Sequence, residues 1–181
     1  QFNKMTDSTL TVWKKILDSV PASRLILKNK TLNTDDGKEF VGNRLKKIGI
    51  DVERVELRGT TGNYLREYDD VDIALDTFPY TGGVTTCEAL YMGVPVISLY
   101  GERHGTRFGL SMLKNVGLDE LAVNSYDEYI NRAVGLANDK ELLKILRRNL
   151  RGMMKKSPLM DSKNYLREIE EAFIKILRAE R

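Results

Sequence analysis

The chain has 181 residues, 41% of them hydrophobic and 30% charged, with a formal net charge of +3. That suits one soluble domain with a real core and argues against a nucleic-acid partner, which would call for a dense basic surface. No apolar run approaches the roughly 20 residues needed to cross a bilayer, and no secretory signal opens the chain, so no membrane partner is expected.

Taken in order, Phe2, Asn3 and Lys4 read as the end of an extended segment. Thr6, Asp7 and Ser8 offer N-caps for a helix reaching about residue 20, with Leu10, Trp13, Ile16, Leu17 and Val20 in one apolar stripe. Pro21 stops it. Residues 24–28 form a short apolar strand of the kind that parallel sheets bury on both faces. A turn cluster at 33–36 leads to a helix over 37–47, with Val41, Leu45 and Ile48 inward and Gly49 as its stop. A second strand covers 55–57, and the loop 58–62 is polar and flexible. Asn63 caps a short helix over 64–68. Strands over 72–76 and 96–99 flank a helix at 85–92.

A polar loop past Gly101 leads to a helix over 105–114 that Gly117 ends, and 121–123 reads as a short fifth strand. Two further helices cover 125–138, opening on a Ser125-x-x-Glu128 cap, and 139–153. Beyond Pro158 a last helix, 162–178, sets Tyr165, Ile169, Phe173, Ile176 and Leu177 on one face, packed on the domain or toward a further domain half. Strands alternate with helices over short connections. This predicts α/β class, a doubly wound, Rossmann-like parallel sheet of about five strands in a single domain spanning 1–181. The basic run Arg147, Arg148, Arg151, Lys155 and Lys156 reads as a solvated helix face or a docking patch.

Cys87 is the only cysteine, so no internal disulfide forms and a reducing cytoplasm is the expected setting. His104 is the only histidine, which leaves too few ligands for a usual zinc site. A Ser-His-Asp triad would have to use His104, in a loop without a nucleophile elbow.

The stretch from Asp72 to Tyr100 is a strand ending in an acid, a Pro/Gly-rich loop, a helix and a second strand. In open α/β sheets such loops gather where ligands bind. Gly82 and Gly83 allow close backbone approach, and Thr85 and Thr86 bring hydroxyls and amides to a helix N-terminus. Together they suit a phosphate or diphosphate, with Glu88 one turn on as an acceptor for ribose hydroxyls. Thr85-x-x-Glu88 equally spells a capping box, and from the residues alone both readings stand. Neither a Walker loop nor a GxGxxG turn is present.

Residues 75–95, from Leu75-Asp76-Thr77-Phe78-Pro79-Tyr80 through Thr81-Gly82-Gly83-Val84-Thr85-Thr86-Cys87-Glu88 to Pro95, resemble the C-terminal catalytic domain of the SPINDLY and O-GlcNAc transferase family. The likeness extends to residues 2–13, 109–118, 127–129 and 157–159. It implies the C-terminal half of a GT-B glycosyltransferase, family 41, which moves a sugar from a nucleotide donor to Ser or Thr of a protein. It further implies that Lys4 contacts the donor diphosphate and steadies the leaving group, that Thr85 and Thr86 lie in the phosphate-binding helix start, and that Glu88 binds ribose. The 58–64 loop, with Thr61 and Tyr64, falls where the family reads the base. Many members carry His at the positions of Gly83 and Tyr64. The family's commoner donor is UDP-GlcNAc, while plant SPINDLY uses GDP-fucose. A third implied reading is a non-catalytic module that keeps the fold. Tyr64 stacks on a base or packs in the core. No cofactor or metal is expected, since Asp70-Val71-Asp72 spells an acidic pair on the wrong side of the strand. Implied partners are an N-terminal catalytic half and tetratricopeptide repeats.

Overall fold

The computed structural model describes residues 4–179, so the reading of Phe2 and Asn3 lies outside the described residues. Helix α1 (Asp7–Ser19) starts where the Thr6 hydroxyl accepts from the Thr9 amide at 3.1 Å. Its apolar stripe buries Leu10, Trp13, Ile16 and Leu17. Strand β1 (Leu25–Lys28) follows, then α2 (Asp35–Ile48), capped by Thr34 and closed by Gly49 in the left-handed region at φ 82°. Strand β2 (Val55–Arg58) pairs with β1 in parallel, Leu27 opposite Leu57.

Residues Tyr64–Asp70 form a 3-10 segment rather than an α-helix. Strand β3 (Ala74–Leu75), helix α3 (Val84–Tyr91) and strand β4 (Val96–Leu99) make a parallel strand–helix–strand unit. Helix α4 (Phe108–Val116) ends at Gly117, φ 77°, before β5 (Ala122–Val123). Helices α5 (Tyr126–Asn138), α6 (Lys140–Lys156) and α7 (Ser162–Ala179) complete the chain. The Ser125 hydroxyl caps α5 by accepting from the Glu128 amide.

All strand pairs are parallel, as the alternation requires, and the order β3–β4–β5 puts β4 in the middle of its ladder. Its Val96, Ile97 and Ser98 are buried, which is why that run reads as continuously apolar save for one hydroxyl. The five strands fall into two ladders, β1–β2 and β3–β4–β5; among the described residues no ladder joins them. The third strand, expected over 72–76, is confined to Ala74–Leu75, although the Asp76 amide still donates to the Ile97 carbonyl at 3.0 Å. Leu90, Val94, Leu113, Tyr129, Leu150 and Met154 close the core around β4. Each such side chain contributes about 1.5–3 kcal/mol by leaving water.

Helix α7 carries no buried residue, and Phe173, Ile176 and Leu177 stand exposed. The basic run on α6 is only partly a solvated face. Arg147 donates to four backbone carbonyls, and Arg151 donates to the Tyr91 carbonyl and lies 4.8 Å over the Tyr91 ring.

Gly93 combines a left-handed backbone with a close approach to α6. It sits at φ 83°, and a Cβ there would lie 2.6 Å from the Arg147 carbonyl oxygen. Gly93→Ala is therefore expected to lose about 3 kcal/mol, from left-handed backbone and an immovable clash together. Urea unfolding checks this; a loss below about 1 kcal/mol would sink the argument.

Candidate functional site

The loop after β3 is organised by a buried acid. Asp76 is 7% exposed. Its Oδ1 accepts from the Gly82 amide at 2.7 Å and its Oδ2 from the Ser98 hydroxyl at 2.8 Å. Burial pushes its carboxyl up, while Ser98, the Gly82 and Thr77 amides and the Lys4 charge pull it back. The Asp76 carbonyl accepts from the Tyr129 phenol, and the Phe78 carbonyl accepts from the Thr9 hydroxyl, both at 2.8 Å. Thr81 bonds across to the Gly105 carbonyl. The loop is thus held from α1, α5 and the segment before α4 at once.

Gly82 has no room for a side chain. A Cβ would lie 2.5 Å from Thr86 Oγ1, 3.0 Å from Thr85 Oγ1 and 3.1 Å from Asp76 Oδ1. Two hydroxyls therefore converge over this glycine, whose own amide is committed to Asp76. A Cβ at Gly83 would meet nothing within 4 Å, so a larger residue there, such as the histidine of many family members, faces open space.

Gly83 is the N-cap of α3 and gives no side-chain cap. Thr85 and Glu88 consequently do not form a capping box. The amides of Thr86 and Cys87 return to the Gly83 carbonyl. Those of Val84 and Thr85, first in the helix, have no carbonyl a turn earlier to bond. Thr85 is exposed and Thr86 buried. Lys4 reaches the same loop, its Nζ 4.0 Å from the Tyr80 ring centroid. Amides, hydroxyls and an ammonium at one loop and one helix start can bind an anion.

Glu88 Oε1 instead accepts from the Tyr64 phenol at 2.7 Å, which raises the Tyr64 pKa. Tyr64 is 41% exposed, so its ring is not in the core and the packing alternative is corrected. Tyr68, four residues on, lies beside the Thr85 carbonyl, and burial first, then Glu88, pushes its phenol up to about 12.

Thr61 belongs to a second polar cluster, at the carboxyl ends of β1 and β2. Its hydroxyl bonds Glu67 and accepts from Lys28 Nζ, which also pairs with Glu67. Arg58 pairs with Glu56 at 2.7 Å and with Asp70 at 3.1 Å. Lys28 and Thr61 hold the Glu67 carboxyl below the usual range, and Arg58 does the same for Glu56. Glu56, Arg58, Gly59, Thr60, Thr61 and Glu67 line an open depression of about 370 Å³. A second, of about 260 Å³, lies between Thr6, Phe78, Pro79, Tyr100 and Tyr126. Asp70 is thus an ion-pair partner, and among the described residues no group of three His, Cys, Asp or Glu side chains gathers as a metal site would need.

The residues that sequence reasoning passed over are Asp76 and Tyr68. An acid closing a buried strand, before a glycine pair, was the available signal for the first. Nothing in local sequence marks the second.

The model of glycosyl transferase family 41 matches residues 1–169. A protein of Solanum lycopersicum described as a probable UDP-N-acetylglucosamine–peptide N-acetylglucosaminyltransferase SPINDLY is 42% identical over 173 residues, 94% of this chain and 19% of that protein. A UDP-N-acetylglucosamine–peptide N-acetylglucosaminyltransferase of Caenorhabditis elegans is 29% identical over 173 residues, 15% of its length. Among solved structures, a mutant O-GlcNAc transferase of Thermobaculum terrenum superposes with a TM-score of 0.88 at 36% identity, over 95% of this chain and 34% of that one. The chain spans about a fifth of the length of the curated relatives it matches.

Proposed function

The chain belongs to glycosyl transferase family 41, and from that premise we propose that it is the donor-binding half of a nucleotide-sugar-dependent protein O-glycosyltransferase. The observation that carries this is the pair of hydroxyls, Thr85 and Thr86, converging over Gly82 at the open start of α3, on a loop that buried Asp76 braces. In sugar transfer a Ser or Thr hydroxyl oxygen of the acceptor bonds to the anomeric carbon and gives up its proton to solvent, and the bond from that carbon to the diphosphate breaks. The leaving nucleoside diphosphate takes the electron pair, so negative charge builds on its outer phosphate. The α3 N-terminus and the Lys4 ammonium are the groups at hand to meet that charge.

In this reading Glu88 takes the ribose hydroxyls, and the loop carrying Thr61 and Tyr64 takes the base. UDP-GlcNAc is the proposed donor, because the relatives' names carry it; GDP-fucose is the alternative to test beside it. The reading includes a protein acceptor, a further catalytic half with repeats in a longer protein, and a cytoplasmic setting for the unpaired Cys87.

Thermal melting tests it directly. UDP or GDP at 100 times its Kd is expected to stabilise the chain by about 2.7 kcal/mol. Thr85→Ala is expected to weaken binding about five- to tenfold without moving the melting temperature of the free chain, since Thr85 is exposed. A wild-type chain whose melting is unmoved by either nucleotide at millimolar concentration would falsify the proposal.

A further inference from the structure

Arg147 sits half-buried on α6, away from the loop that binds the diphosphate in the reading above. Its guanidinium donates to the carbonyls of Tyr68 at 3.0 Å and of Met92 at 3.2 Å, and to those of Asp69 and Val71. Three of these belong to the 3-10 segment Tyr64–Asp70 and its exit; Met92 is the C-cap of α3. The planar fork of five donors is what allows one side chain to hold four carbonyls, and an ammonium has too few donors in too small a reach to do the same.

The segment so gripped faces α3 with two phenols. Tyr64 bonds the Glu88 carboxylate and Tyr68 points at the Thr85 carbonyl. On its other side Glu67 pairs with Lys28 and Asp70 with Arg58, at the ends of β1 and β2. No ladder joins the two sets of strands among the described residues, so this segment is the polar tie between the end that would read a base and the helix that would hold the phosphates.

We infer that Arg147 is a positioning residue for the donor site: by clamping Tyr64–Asp70 across α3 it fixes Tyr64 on Glu88 and aligns the base loop with the first turn of α3. The inference rests on the donor-site reading for its binding consequence, though the clamp itself is a property of the free chain. The guanidinium never touches the donor. It acts through the two tyrosines.

The experiment compares wild type, Arg147→Met and Arg147→Lys by hydrogen exchange without ligand and by UDP and GDP titration at a temperature well below melting. Arg147→Met is expected to speed exchange of the Arg66 and Val71 amides about tenfold while the amides of α6 itself keep their protection, and to raise Kd about tenfold. Arg147→Lys, which keeps the charge and part of the donor set, should recover some of both. It also stands in should the methionine variant not fold. Tyr64→Phe, a surface change, should raise Kd a few-fold with the melting temperature unchanged. Exchange of residues 64–71 that matches wild type in the Arg147 variants overturns the clamp. A fall in melting temperature with Kd unchanged overturns positioning in favour of plain structural support. A wild-type chain that binds neither nucleotide overturns the donor reading instead, and the exchange measurements still decide the clamp.

Discussion

Asp76→Ala is expected to destabilise the chain by about 3 kcal/mol, because it strands two buried donors, the Gly82 amide and the Ser98 hydroxyl, at roughly 1–3 kcal/mol each. Relief of the carboxylate's own burial offsets part of this, which is why the sum is not larger. The same change frees the loop that sets Thr85 and Thr86 over Gly82, so nucleotide affinity falls as well. Asp76→Asn is milder. Its oxygen still accepts from Gly82 at one side, and its amide can donate to the Ser98 oxygen at the other.

The two variants also differ in their pH dependence. The folded carboxyl of Asp76 is raised above its ordinary value. The stability linked to its protonation is therefore fully present below the unfolded carboxylate pKa and is lost as pH rises through the folded pKa. Asn has no such loss, so Asp76→Asn should compare best with wild type near neutrality and worst in acid. Denaturant titrations from acid to neutral pH read both points. An Asp76→Ala protein within about 1 kcal/mol of wild type, or an Asn variant whose deficit grows toward neutrality, would refute this account.

Lys4→Ala is expected to weaken UDP binding by about 10–100-fold, the range that a charge-assisted contact of roughly 1.5–3 kcal/mol implies. Stability should move little. The Lys4 ammonium lies over the Tyr80 ring, which is itself 56% exposed, and such a contact contributes only about 0.5–1 kcal/mol. Salt should weaken the wild-type interaction and leave the alanine variant less sensitive, since the removed term is electrostatic. Calorimetric titration at two ionic strengths measures this; equal UDP affinity in the two proteins would take Lys4 out of the site.

Much of the architecture was legible because its signals are local. Thr6, Gly49, Gly117 and Ser125 each mark a helix end by their own backbone or side-chain chemistry, and the structure uses them so. The apolar stripes of α1 and α2 settle which face is buried. The loop of the candidate site stood out in the same way, through its glycines and threonines, with the family likeness proposing roles that residue types alone leave open. What stayed hidden depends on partners distant in sequence. Thr85 and Glu88 have capping-box spacing, yet Tyr64, 24 residues earlier, takes the carboxylate. Arg147 looks like one more solvated cation until the carbonyls of Tyr68 and Val71 are brought beneath it.

Trp13, the only tryptophan in the chain, is 4% exposed and donates its indole N–H to the Tyr129 hydroxyl at 3.3 Å. That hydroxyl in turn donates to the Asp76 carbonyl. The indole is therefore two hydrogen bonds from the residue that braces the candidate-site loop, in a buried setting, with no second indole to mask it. Unfolding, which brings that indole into water, is therefore expected to shift its emission, giving the core an optical gauge that needs no label.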